Sequence, residues 1–179
     1  IKSHRDQIIG FGGRVIDPTD NPKYLNSSDS DIFKKGRELY GLSEILKNKK
    51  RINRIVVVEG YTDVLSLFSN DMNYAVATLG IATSKVHIDK LFTHVDEVIF
   101  CFDGDDAGVK AAESALNISL SGLRDGKKIK FMFLPEGEDP SSLLEKEGKE
   151  EFEKRMENSK VLSEYLFENI LKKYDDSIE

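Results

Sequence analysis

Residues 97–108 read EVIFCFDGDDAG, and this stretch sets the reading of the whole chain. Val98 to Phe102 form an unbroken apolar run, which suits a strand covered on both faces. Acids follow at once, and the apolar positions Val109, Ala112, Leu116 and Leu120 then recur at helical spacing, so a helix is predicted over 106–122. The same grammar repeats on either side. IVVV at 55–58 is a strand, followed by a helix over 61–69. YAVATLG at 74–80 is a second strand ending at Gly80. A helix over 84–93 uses Val86, Ile88 and Leu91, with Phe92 beside them. KIKFMFLP at 128–135 is a strand after the 106–122 helix. Alternation of this kind predicts an α/β fold, an open and mostly parallel sheet flanked by helices and joined by right-handed crossovers.

The flanks read differently. QIIGFGGRVI at 7–16 predicts a strand pair or hairpin with a Gly-Gly kink, 17–31 a polar loop, and 37–48 a helix through Leu39, Leu42, Ile45 and Leu46. After the last strand, Asp139-Pro140 offers an N-cap followed by Pro at the first helical position. Further helices are predicted over 148–157 and 160–173. Val161, Leu162, Tyr165, Leu166, Phe167, Ile170 and Leu171 make a broad apolar stripe, expected to pack on sequence outside this chain. Three segments result: a basic α+β part over 1–54, the α/β sheet over 55–139, and a helical part over 140–179.

The 179 residues carry a net charge of −6, unevenly spread. Residues 1–54 hold 12 Lys/Arg against 7 Asp/Glu, or +5, which leaves −11 on the rest. A basic segment beside an acidic one suits a nucleic-acid groove next to a metal site; solvated helix surfaces account for the late acids equally well. One cysteine, Cys101, excludes a disulfide framework and a Cys-rich zinc site, and suits a small core hydrophobe. A reducing cytoplasm is the expected compartment, with no membrane span. The chain starts at Ile rather than Met, and is expected to be cut from a longer protein.

Ligands of open α/β sheets bind beyond the carboxyl ends of the strands. Acids stand at three of the four predicted ends: Glu59; Asp103 and Asp105; and Glu136, Glu138 and Asp139. Oxygen-only clusters suit Mg²⁺ or Mn²⁺, and paired ions of this kind serve phosphoryl transfer. Asp63, four residues past Glu59, either faces the same cavity or complements its helix dipole. Asp106 best fits the role of N-cap, Asp139 fits cap and ligand alike, and Gly80 either admits a phosphate or simply turns the chain. His4, His87 and His94 lack metal-ligand spacing and read as structural or surface residues. No Walker-type phosphate loop is present. Arg14, Lys23, Lys34, Lys35 and Arg37, with Phe11, Tyr24 and Phe33 between them, suit either a track for a single strand or a solvated loop.

EGYTD at 59–63, TLG at 78–80, DGDDAG at 103–108 and FLPEGEDP at 133–140 resemble the TOPRIM motifs of bacterial, DnaG-type DNA primases. FGGRVI at 11–16, PKYLNS at 22–27 and FKKGRELYGL at 33–42 resemble the RNA-polymerase core of the same family. The resemblance spans about residue 5 to residue 170. It implies a TOPRIM-type sheet and the synthesis of short RNA primers for DNA replication, on a single-stranded DNA template from ribonucleoside triphosphates, by metal-dependent nucleotidyl transfer. By that analogy Glu59, Asp103 and Asp105 hold Mg²⁺ or Mn²⁺, supported by Asp139 and Asp63, and Glu59 also helps proton transfer. Arg14, Lys23, Lys35 and Gly80 are implied contacts of nucleotide phosphates or template. An RNA–DNA primer duplex and a replicative helicase are implied partners, the latter through a carboxy-terminal domain absent from this chain. Zinc is implied only in an amino-terminal domain that is likewise absent. One position departs: the acid that often follows the EDP motif by two residues is Ser141 here.

Three other readings stand beside this one. One is a TOPRIM nuclease or strand-passing enzyme; a topoisomerase would need a nucleophilic Tyr, usually in another domain, and Tyr61 and Tyr74 are the nearest candidates here. A phosphatase using Asp103 as nucleophile lacks the usual Thr or Val after D-x-D-x. A TOPRIM binding module would grip DNA without chemistry and without metal.

Overall fold

Strand β3 (Arg54–Val58) is an interior strand of a five-stranded sheet and is buried along almost its whole length. The computed structural model describes residues 1–17, 22, 24–48 and 52–175. From β3 the chain passes through α2 (Tyr61–Ser69) to β4 (Ala75–Ala77), and through α3 (Lys85–Phe92) to β5 (Glu97–Phe102). It continues through α4 (Asp106–Gly122) to β6 (Lys128–Phe133). The order is β4-β3-β5-β6-β7, with the first four strands parallel and the short β7 (Lys160–Val161) antiparallel at the edge.

Strand alternation assigns each residue to a face. Phe100 and Phe102 of β5 lie level with Phe131 and Phe133 of β6; the four rings pack at centroid spacings between 5.7 and 6.1 Å, and Tyr165 packs on Phe131 and Phe133 at 4.8 and 5.1 Å. This face also takes α1 (Leu42–Lys47), α3, α4 and α6 (Leu162–Asp175). Ile99, Cys101 and Met132 point the other way, onto α2 and α5 (Pro140–Glu157). Cys101 is a small core hydrophobe, as expected. The helix after β3 thus covers one face and the helix after β5 covers the other, as right-handed crossovers require when strand order reverses. That reversal opens a crevice beyond the carboxyl ends of β3 and β5.

Several local expectations are corrected. Residues 7–16 do not fold back on themselves. The strand β1 (Gly12–Arg14) pairs with β2 (Tyr24–Asn26), which lies in the segment read as loop, and Ile8 instead bridges Lys2. The 37–48 helix shrinks to α1, because Tyr40 forms a bridge with Ala77 and Gly41 turns the chain at φ +87° against the Ala75 carbonyl. In α3 the buried residues are His87, Ile88, Leu91 and Phe92, while Val86 faces water. The helices predicted from Pro140 and from 148 are both present within α5, parted at Gly148, whose backbone (φ +76°, ψ 171°) is not helical. In α6, Leu162 and Tyr165 are buried, and Phe167, Ile170 and Leu171 are exposed.

Helix α4 has its predicted bounds but a rotated buried face: Gly108, Ala112, Ala115, Leu116, Ser119 and Gly122. Its small residues let it approach the sheet and α3 closely; a Cβ on Gly122 would sit 2.9 Å from Ile88 Cγ2. Val109 is 46% exposed and Leu116 only 3%. Leu116→Ala therefore costs about 2–5 kcal/mol in urea unfolding, whereas Val109→Ala stays within about 1 kcal/mol of the unaltered chain. Equal losses would place both residues on one face.

Candidate active site

The crevice is a cavity of about 420 Å³ whose lining includes Glu59, Asp63, Asp103, Asp105 and Asp139, with Arg14, Asn26, Gly80 and Ser141. Each acid arrives by a separate structural route. Glu59 directly follows β3, and Asp103 directly follows β5. Asp63 sits in the first turn of α2, where its Oδ2 accepts the Gly60 N–H at 3.1 Å. Asp105 is the N-cap of α4, its Oδ1 accepting the Gly108 N–H at 2.7 Å. Asp139 caps α5, accepting the Ser142 N–H at 2.7 Å. The α4 cap is therefore Asp105 and not Asp106, because the extended backbone at 105 places the helix start one residue early.

Two loops that carry these acids are locked together through backbone. The Gly104 N–H donates to the Glu138 carbonyl at 3.0 Å, and the Gly137 N–H donates to the Gly104 carbonyl at 2.9 Å. A Cβ on Gly104 would lie 1.8 Å from the Pro135 carbonyl oxygen, and one on Gly108 would lie 2.3 Å from that of Asp103. The two glycines of the DGDDAG stretch are thus required by close approach. Glu138 is turned away from the cavity, bonded to Ser142 and Lys146.

Crowding sets the electrostatics. Burial first, and then the charges of Glu59, Asp63, Asp139 and Asp105, push the Asp103 carboxyl up to about 7. Burial likewise lifts Asp63 to about 6, against the pull of the Gly60 N–H. Glu59 is raised by burial, partly offset by the Asp103 backbone N–H. Among the described residues none of the five acids joins an ion pair, and Asp103 Oδ1 is buried without a hydrogen-bond partner. A buried acceptor left unpaired beside like charges is the donor chemistry that a hard cation satisfies. Among the described residues, no three Asp, Glu, His or Cys side chains are gathered tightly enough to hold an ion as they stand. Helices α2, α4 and α5 all begin at this cavity, and their positive ends partly offset the crowding.

The basic side is uneven. Arg14 lines the cavity, its guanidinium 5.5 Å from the Tyr24 ring centroid. Gly80 lines it at φ +74°. Lys23 lies outside the described residues. Lys35 does not line the cavity; its carbonyl faces His87. Phe33 is wholly buried and cannot stack on a base, whereas Phe11 is exposed. His87 is structural, as expected, and buried.

Sequence reasoning misses Asn26. Its Nδ2 donates to the Leu79 carbonyl at 3.1 Å, and its Oδ1 is buried without a partner among the described residues. Its signal in the sequence is its place in the PKYLNS stretch at 22–27. Tyr61 donates to the Gly13 carbonyl at 2.6 Å and Tyr74 to Glu153 at 2.7 Å, and burial raises both phenols. Neither is poised as a nucleophile.

The raised carboxyls predict a pH-dependent stability. Between about pH 4 and pH 7 the folded chain holds protons that the unfolded chain releases, so stability falls as pH rises through that window. In chelator, Tm should drop across this range for the unaltered chain and drop less for Asp103→Asn. Millimolar Mg²⁺ at pH 8 should restore Tm in the former and not in the latter. A Tm independent of both pH and Mg²⁺ would contradict the crowding.

Comparison with known proteins agrees with this geometry. Residues 56–144 match the family described as Toprim-like, and residues 1–46 match the N-terminal domain of the DNA primase catalytic core. The chain is 51% identical to the DNA primase of Escherichia coli K12 over 175 residues, covering 98% of this chain and 30% of that protein. A DNA primase domain from Pseudomonas aeruginosa superposes with a TM-score of 0.93 at 49% identity, over 97% of this chain and 54% of that one. A DnaG primase catalytic domain bound to single-stranded DNA superposes with a TM-score of 0.91 at 51% identity, over 97% of this chain and 56% of that one. The chain spans less than a third of the length of the curated relatives it matches. With both parts of the core matched in order and the sheet, crevice and acids in place, the chain belongs to the bacterial, DnaG-type DNA primases, as a segment of their catalytic core.

Proposed function

We propose that this segment carries the nucleotidyl-transfer site of a DNA primase, which joins ribonucleoside triphosphates into short RNA on a single-stranded DNA template. The observation that carries the reading is the buried, unpartnered Asp103 Oδ1 amid four further carboxylates on one crevice. Residues 1–54 would present template and phosphates, 55–139 the acids, and 140–179 a supporting helical layer. The solved relative bound to single-stranded DNA supports the choice of template.

Glu59, Asp103 and Asp105 would hold Mg²⁺ or Mn²⁺, with Asp139 and Asp63 beside them. Bound there, divalent metal supplies acidity to a primer 3′-hydroxyl and charge neutralisation to a triphosphate. The chain's own groups do the rest. Glu59, raised by burial, is suited to accept the proton of the attacking hydroxyl. Arg14, held over Tyr24, would bind a phosphate oxygen, and Lys23 and Lys35 would add phosphate or template contacts without reading sequence. The open φ at Gly80 would let a phosphate approach the backbone. The N-terminal ends of α4 and α5 would stabilise charge on the leaving pyrophosphate.

The test is RNA synthesis from labelled ribonucleotides on single-stranded DNA with Mn²⁺, resolved on a denaturing gel. Glu59→Gln and Asp103→Asn should each lower product roughly 10²-fold or more. Both variants should still bind single-stranded DNA, in chelator as well as in metal. Full polymerisation by Asp103→Asn would overturn the metal assignment, and metal-dependent shortening of the DNA would favour a nuclease.

A further inference from the structure

The basic stretch Phe33-Lys34-Lys35-Gly36-Arg37-Glu38 makes a tight turn that puts three cations within four residues. The Arg37 and Glu38 N–H groups both donate to the Lys34 carbonyl, at 2.9 and 3.1 Å. Like charges so close repel; at its start the turn is anchored by the buried Phe33 and by Asp29, whose Oδ1 accepts the Lys35 N–H at 3.1 Å. One edge of α3 holds the carbonyls that follow. His87, at the third position of α3, is wholly buried. Its Nδ1 accepts the Ser84 N–H at 3.2 Å, so the ring proton lies on Nε2, which donates to the Lys35 carbonyl at 3.0 Å. The Ser84 hydroxyl donates to the Gly36 carbonyl at 2.7 Å. One turn further along, Lys90 pairs with Glu38 at 3.0 Å, both side chains mostly covered.

Ser84, His87 and Lys90 thus recur every three residues along α3 and meet residues 36, 35 and 38. The turn's own carbonyls are consumed on the protein side, and Lys34 and Arg37 are left exposed. Two further contacts fix the turn relative to the crevice. Ile81, next to Gly80, is 3.8 Å from where a Cβ on Gly36 would stand, and Tyr40 exchanges both backbone bonds with Ala77.

We propose that His87, supported by Ser84 and Lys90, is a positioning residue that holds the Lys34–Arg37 turn as a preformed phosphate-binding rim beside the crevice. This rests on the reading of the chain as a binder of single-stranded template. His87 touches neither template nor nucleotide. Its part is to keep a repulsive cluster of cations in one conformation, so that the ordering cost is met on folding and not on binding. Only the neutral ring serves, since the Ser84 N–H needs a lone pair on Nδ1. The charged groups facing it are Lys90 and Glu38, with the Lys35 and Glu38 backbone.

The test uses two substitutions that each keep half of the imidazole. His87→Gln can still donate toward the Lys35 carbonyl, whereas His87→Asn keeps only an acceptor for the Ser84 N–H. Fluorescence anisotropy of a labelled single-stranded oligonucleotide, followed across a salt series, counts the phosphates engaged, and Lys34→Ala/Arg37→Ala gives the slope when the turn's charge is removed outright. His87→Asn should weaken binding and flatten the slope of log K against log salt by about 0.7 for each phosphate no longer engaged, toward the double variant, while His87→Gln retains most of the slope. Ser84→Ala, which leaves the imidazole in place, should give a smaller loss and serves if the His87 variants do not fold. Folded variants with the unaltered slope overturn the positioning role. An unaltered chain that shows no salt-dependent binding overturns the template reading itself, and the positioning role with it.

Discussion

Two backbone hydrogen bonds, from Gly104 to Glu138 and from Gly137 to Gly104, hold the loops after β5 and β6 at contact distance. The site depends on that closeness. Loops that end in acids repel one another, and a side chain at residue 104 would push them apart. The cost of confining the acids is carried by the sheet. Strands β3 and β5 run parallel in register from Arg54 opposite Glu97 to Val57 opposite Phe100, buried on both sides. Burial of that order outweighs a few kcal/mol of local repulsion. The acids are thus brought together by the apolar runs that precede them.

The helices reduce the cost further. Asp105 and Asp139 each spend an oxygen on a backbone N–H of the helix they begin, and Asp63 accepts the N–H of Gly60. A cap and a ligand are different uses of one carboxylate, and a carboxylate has lone pairs for both. Asp103 is the exception. It caps nothing, one of its oxygens has no partner among the described residues, and its carboxyl is raised the furthest of the cluster, to about 7. The group least satisfied by the protein is the group most available to a cation.

Much of this is legible in the sequence. The strands at 55–58, 97–102 and 128–133 are visible because parallel strands covered on both faces leave unbroken apolar runs, and the bounds of α2 and α4 because a cap residue or a glycine marks an end of each. The acids are placed by one rule of topology, that ligands sit beyond the carboxyl ends of the strands. What is not legible depends on partners far away in the chain. The β1–β2 ribbon has only three residues a side, and its order comes from Tyr61 and Tyr24 packed edge to face at 5.0 Å, a contact between distant stretches of the sequence. Helix α4 sits rotated from its apolar periodicity because Gly108 and Gly122 count as neutral in a periodicity, although they are the points of closest approach. His87 reads as a minor surface or structural residue, since nothing in its neighbours along the chain announces a carbonyl at residue 35.

The charge gradient takes on a physical meaning in this arrangement. Apart from Arg54, which reaches Glu157 at 3.9 Å, the cations of the basic first segment pair, among the described residues, mainly with acids of their own segment, as with Lys2, Asp6, Glu44 and Lys47. Arg14 approaches the crevice only over the ring of Tyr24, and the Lys34–Arg37 turn stands beside the loop that ends β4. Positive and negative surfaces therefore lie next to each other without cancelling. Direct salt bridges across the crevice would have given a more stable protein and closed the site to phosphates and cations alike. Keeping the two apart requires each to be held rigidly by neutral contacts: backbone bonds for the acids, and a neutral imidazole and a serine hydroxyl for the basic turn. The charged contact at the turn, Lys90 with Glu38, is an internally balanced pair and so leaves both surfaces as they are.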